Sequence, residues 1–235
     1  MRTQFKLILL LLALIYSGFV NSSEYAWTKV KDQNGIQVYT KQYLKNDIKS
    51  FKATISINTS IDSILAILMD LKACNKWIHH CKQSTLLLRK SFSEYYHHQV
   101  QSFPFLAQNR HFILHSKITY YPKNGNILIS MNAITNFCVD NKSLCRNIGN
   151  TDHLIRIKHS HGYYLLETLH DNTSRVTWVQ HTNPEGDLPI WLINQMIQNL
   201  PYKTLLGLRK EVFKAKYQNK RLNINHEGKM IGFIK

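Results

Sequence analysis

Acidic residues are scarce in this chain of 235 residues: 14 Asp and Glu stand against 30 Lys and Arg, a net charge of +16. A balance this one-sided points to an anionic partner, either a membrane surface or a nucleic acid, unless it serves solubility alone. No DNA- or RNA-binding motif supports the nucleic-acid reading. The Gly-x-Ser-x-Gly elbow of hydrolases, the phosphate-binding Gly-rich loop and the dinucleotide fingerprint are all missing. So are the Cys-x-x-Cys and His-Glu-x-x-His spacings of zinc sites. No Gly/Ser linker, repeat or change of composition divides the chain, so one domain is expected. The sequence calls for no cofactor and no metal.

What is present begins with a leader. Arg2 and Lys6 precede an apolar run from Leu7 to Val20, and Val20-Asn21-Ser22 suits a cleavage site. This is the order of a secretory signal peptide over residues 1–22. The alternative is a permanent anchor, but about 14 apolar residues are short for a span that needs about 20. No cysteine follows the run, which argues against a lipoprotein anchor. An exported, periplasmic protein is expected, and export weighs against a nucleic-acid partner.

Four cysteines fit an oxidising compartment. Cys138 and Cys145 are seven apart in a polar, loop-like segment, and a disulfide is expected there. Cys74 and Cys81 have the same spacing, with Cys74 at the expected end of a helix. They form a disulfide or stay as buried thiols, since spacing does not fix connectivity.

Asn34-Gly35 between two apolar stretches signals a hairpin. Phe51, Ala53, Ile55 and Ile57 alternate with polar residues, as in a half-buried strand. Ser60 caps a helix carrying Ile61, Ile64, Leu65, Leu68 and Leu71 at helical spacing. Period-two patterns then place strands at 83–90, 93–102, 111–121, 125–134, 152–159, 162–170 and 174–182, separated by turn residues. Asp187 and Pro189 open a long last helix, with a kink expected at Pro201. The order predicts an α+β fold in which a curved antiparallel sheet grips a long C-terminal helix.

Several stretches taken together resemble START lipid-binding domains. They are Trp27…Gly35-Ile36-x-Val38-Tyr39-Thr40, Phe51-Lys52-Ala53, Pro104…Asn109-Arg110, Ile155 to Gly162, Val176-Thr177-Trp178 and Pro184-x-Gly186-x-x-Pro189-x-Trp191-Leu192-x-Asn194. The resemblance runs over about residues 24–217 and is nearest to secreted bacterial members. It implies a helix-grip fold enclosing a lipid-sized hydrophobic tunnel, with the loop 135–151 as part of its lid. The domain is therefore set at 23–217, followed by a basic tail at 218–235. His111 stands where the family commonly has an acidic residue. Ser116 stands near the position of a buried arginine in sterol carriers, which weakens any claim to a sterol.

The residues expected to line the cavity are Trp77, Phe105, Phe112, Trp178, Trp191, Leu192, Gln195 and Met196, with Arg110 placed to meet a headgroup or to serve as a structural donor. Each of the others has ordinary core packing as its competing role. Adjacent histidines on a strand point to opposite faces, so His79-His80 and His97-His98 do not make metal pairs. The function expected is a monomeric, non-catalytic carrier that holds one apolar ligand and meets an anionic membrane surface transiently. The alternative is a helix-grip enzyme of cyclase or hydrolase type, for which Asp70, Glu94, His115 and Glu167 are the titratable candidates.

Overall fold

The computed structural model describes residues 26–43, 46–103, 107–170 and 172–234. The proposed leader, residues 1–22, lies outside them. Strands β1 (Thr28–Gln33) and β2 (Ile36–Tyr43) are joined by Asn34 and Gly35. Both turn residues have positive φ, 54° and 70°, the conformation that a two-residue hairpin requires and that Asn-Gly supplies at low cost. Strand β3 (Asn46–Ile57) buries Phe51, Ala53, Ile55 and Ile57, the alternating set read from the sequence.

Helix α1 (Ile61–Met69) starts at Ser60, whose Oγ accepts from the Ser63 amide at 3.2 Å. A 3-10 turn (Leu71–Ala73) leads into the single helical turn α2 (Cys74–Trp77). The chain then runs through β4 (Cys81–Ser91), β5 (Glu94–Gln101), β6 (Arg110–Tyr121) and β7 (Asn126–Ala133). After a loop containing the short helix α3 (Phe137–Asp140) come β8 (Ile155–Arg156), β9 (Ser160–Thr168) and β10 (Ser174–Thr182). Helix α4 (Ile190–Glu211), the turn α5 (Ala215–Gln218) and a hairpin of β11 (Arg221–Ile224) and β12 (Met230–Ile234) complete the chain.

The main sheet has the order β1-β2-β3-β10-β9-β7-β6-β5-β4, all antiparallel along that path. β10 returns to pair with β3, so the first hairpin and the later meander become one curved surface. Helix α4 lies across it and packs on β2, β3 and α2. The helix-grip architecture expected from the sequence is the one found.

Two local expectations change. The strand expected at 152–159 shrinks to β8, two residues that pair parallel with Arg110 and His111 at the start of β6. Helix α4 is capped by Pro189 and not by the Asp187 side chain. Pro201 lies within its span. The basic tail is folded: Met230 is buried, and Phe233 meets Phe92 edge-on at 5.3 Å.

Both cysteine pairs are disulfides, Cys74–Cys81 and Cys138–Cys145. Such bonds fit an oxidising, extracytoplasmic environment. Two glycines mark close approaches. A Cβ at Gly207 on α4 would strike the Trp77 backbone, and one at Gly162 on β9 would strike Gln180 and the Val179 carbonyl. Among the described residues, no helix is long and apolar enough to cross a membrane.

A candidate ligand cavity beneath the long helix

The inner face of the sheet and the helices facing it line a partly open cavity of about 150 Å³. Its wall is mostly aliphatic and aromatic. Helix α4 contributes Ile193, Met196, Ile197 and Leu200, spaced i, i+3, i+4 and i+7 and so aligned on one face. The α1–α2 corner adds Leu68, Leu71, Trp77 and Ile78. Strand residues complete it, among them Phe51, Phe112, Leu114, Ile129, Met131, Tyr164 and Trp178. Trp178 stacks on Tyr164 at 5.1 Å and takes Phe51 edge-on at 4.7 Å, which fixes the aromatic part of the wall.

Trp77, Phe112, Trp178 and Met196, four of the residues expected in the cavity, are brought together in its wall. Three others are not there. Trp191 is 64% exposed, and Gln195 is exposed too. Leu192 is buried but lies outside the wall. The reason is helical phase: once the 193/196/197/200 face is turned inward, 191 and 195 must face away. Phe105 lies outside the described residues.

Arg110 is 1% exposed and also outside the wall. Its guanidinium donates to the backbone carbonyls of Gln108, Pro184 and Glu185, the latter two at 3.2 and 3.1 Å. The Phe103 ring sits over it at 4.2 Å. Arg110 is therefore a pin between the start of β6 and the turn before α4, not a headgroup ligand. Both Phe103 and Pro184 border the cavity, so the pin holds its rim.

The loop 135–151 takes an unexpected place. None of its side chains belongs to the cavity wall. Phe137 is buried with Leu87 and Ile113, packs against Tyr96 at 4.8 Å, and gathers Cys138, Leu144, Cys145 and Ile148 around it. Those strand residues alternate with the cavity-facing ones, so the loop covers the opposite face of β4–β6. It is not the lid. The cover is the first half of α4, with Phe103, Ile157 and Pro184 at its edge.

The paired histidines divide as strand geometry requires. His97 points into the cavity, whereas His98 faces out and meets His111 at 3.1 Å. Burial lowers His97 to a pKa of about 3 and His98 to about 4, with the neighbouring histidine adding to each shift. Of the titratable candidates for catalysis, His115 and Glu94 pair at 2.9 Å across neighbouring strands, a contact with no local sequence signature. They lie outside the wall, as does Glu167. Asp70 borders the cavity, but its carboxylate is held by Lys216 at 2.8 Å and the Tyr217 hydroxyl at 3.0 Å. No group of three or more His, Cys, Asp or Glu side chains converges on a metal-sized site among the described residues.

Residues 18–212 match the model of the START domain family. The chain belongs to that family. An uncharacterised protein of Pseudomonas aeruginosa is 24% identical over 199 residues, covering 85% of this chain and 93% of that protein. A crystal structure of a STAR-related lipid transfer protein fragment from Xanthomonas axonopodis superposes with a TM-score of 0.69 at 25% identity, over 79% of this chain and 98% of that one. Human StAR-related lipid transfer protein 5 shares the fold, with a TM-score of 0.68 at 14% identity over 89% and 95% of the two chains. START domains bind lipids and other apolar ligands, and a mostly apolar cavity under the long helix is the feature such binding needs.

Proposed function

We propose that this START protein is exported to the periplasm and there holds one apolar ligand non-covalently, as a carrier and not as a catalyst. The observation that carries the reading is the cavity wall itself: a continuous apolar stripe on α4 facing aromatic residues from five strands. The leader-like order of residues 1–22 and the two disulfides support export.

The cavity volume bears on how a ligand gets in. About 150 Å³ is the space of a benzene-sized molecule, below the roughly 300 Å³ of ordinary ligand pockets. An acyl chain or ring lipid therefore enters only as the cover moves outward. The first half of α4 is the element suited to this. Its lead-in, residues 183–189, has no regular structure, and Met196 can adopt several rotamers at low cost. Each buried methylene then contributes about 0.8 kcal/mol. The exposed Ile190 and Trp191 sit at the start of this helix, where an amphipathic ring can enter a bilayer interface.

The non-catalytic reading draws support from the placement of the acid/base candidates. The Glu94–His115 pair lies away from the cavity, and Asp70 is already committed to Lys216 and Tyr217.

Uptake of a fluorescent fatty acyl probe tests the site. Met196→Glu places a charge in the wall and is expected to lower affinity by more than about tenfold, a loss of about 1.4 kcal/mol or more. Gln195→Glu, one residue away and exposed, is expected to leave it unchanged. Equal uptake by both variants and the parent would show that the ligand sits elsewhere.

A further inference from the structure

The cavity contains two polar patches in opposite states. On β9 and β10 the patch is closed on itself: Gln180 Nε2 donates to Ser160 Oγ at 2.8 Å, Ser160 Oγ lies 2.7 Å from Thr182 Oγ1, and Trp178 Nε1 reaches Gln180 Oε1 at 3.4 Å. Across the cavity, on β4, β5 and β6, the patch is open. Ser84 Oγ, His97 Nδ1 and Ser116 Oγ are buried in the wall with no hydrogen-bond partner in the protein, and so is Trp77 Nε1. Their residues are 7%, 4%, 0% and 5% exposed.

The strand register lines these groups up. Ser84 pairs with Gln99, two positions from His97 on the same face of β5. His97 pairs with Leu114, two positions from Ser116 on the same face of β6. The three side chains thus form a diagonal row across adjacent strands, each a diagonal neighbour of the next. Tyr95 stands directly opposite Ser116, and the two hydroxyls interact without meeting the full geometry of a hydrogen bond, so the Ser116 hydroxyl keeps capacity for a ligand.

Buried polar atoms without partners are rare, because each carries the full cost of leaving water. Four around one cavity, beside a second patch that is fully paired, mark a place prepared for a polar group that arrives with the ligand. The row is also uncharged. Burial holds His97 neutral at ordinary pH and raises the Tyr95 phenol. A carboxylate or phosphate at the row would be buried without a counter-charge.

We propose that Ser84, His97 and Ser116 form a neutral hydrogen-bonding subsite that selects an apolar ligand ending in one uncharged hydroxyl group. A hydroxyl both donates and accepts, so it can serve His97 Nδ1 in either tautomer while sharing its remaining capacity with the serines. Phosphate-headed and carboxylate-headed lipids are disfavoured. The subsite rests on the reading of the cavity as a ligand site.

A matched series separates the two ideas: dodecan-1-ol, dodecanoate and dodecane, measured at pH 7.5 by displacement of the fluorescent acyl probe from the mature protein. The alcohol is expected to bind about tenfold or more tighter than either analogue. His97→Leu and Ser116→Ala, singly and together, are expected to bring the alcohol down to the affinity of the alkane while alkane binding stays the same. If the alkane binds as well as the alcohol, or dodecanoate binds best, the subsite is overturned and the carrier reading stands. If the probe itself does not bind and nothing in the series binds by calorimetry, both fall.

Discussion

Arg110 is almost wholly buried, yet the groups it grips are backbone carbonyls from two separate segments. Removing the side chain leaves the Pro184 and Glu185 carbonyls without their donor at a turn where Glu185 already has a φ of 56°. Arg110→Met is expected to destabilise the fold by about 3 kcal/mol in urea denaturation, the range for hydrogen bonds from a charged donor. It should also quicken ligand exchange, since the rim is no longer pinned. A loss below about 0.5 kcal/mol would show that the pin is ornamental. The buried histidines make a second residue-level prediction. In the folded chain His97, His98 and His181 are pushed down to about 3, 4 and 4 by burial, from an ordinary value of 6.5. The unfolded chain regains normal proton affinity, so unfolding takes up protons between about pH 6.5 and 4. Stability is therefore full above that window and falls as the pH drops through it, by about 1.4 kcal/mol per pH unit for each proton taken up. A urea midpoint that stays flat from pH 7 to pH 4.5 would contradict this. The role of Arg110 as a structural donor was legible in the sequence, but its carbonyl partners and the open polar row were not. The partners of a lone arginine at a strand start and the roles of isolated serines carry no local signature, because they arise from contacts far apart in the chain.

At the level of elements, strands and helices were largely readable because binary patterning sets them locally. The Ile193, Met196, Ile197, Leu200 stripe was present in the sequence at full helical spacing. Met196 of this stripe was among the residues expected in the cavity, whereas Ile193 and Ile197 were not, and Trp191 belongs to the other face of the helix. The short β8 and the seat of the loop 135–151 were not readable, because each depends on long-range pairing with β6 and its neighbours. The outward face of α4 now has its own prediction. Trp191→Ala is expected to weaken sedimentation with anionic vesicles severalfold, a loss on the order of 1 kcal/mol, while probe affinity in solution is unchanged. Reduced probe affinity without a change in vesicle binding would return Trp191 to the cavity and undo the helical phase described above.

For the whole molecule, the curved sheet, the helix across it and the surplus of basic charge belong to one physical scheme. The sheet and α4 provide a mostly apolar cavity, and under the proposed function the net charge of +16 would draw it to an anionic surface. Family membership and the cavity wall agree on an apolar ligand. The central claim is that the mature protein carries one such molecule, and native mass spectrometry of the purified protein with lipid extraction tests it most directly. A single adduct of stoichiometry one to one is expected, extracted as a lipid and lost in Met196→Glu. A bare protein mass that takes up nothing across a panel of alcohols, fatty acids, sterols and phospholipids would contradict it.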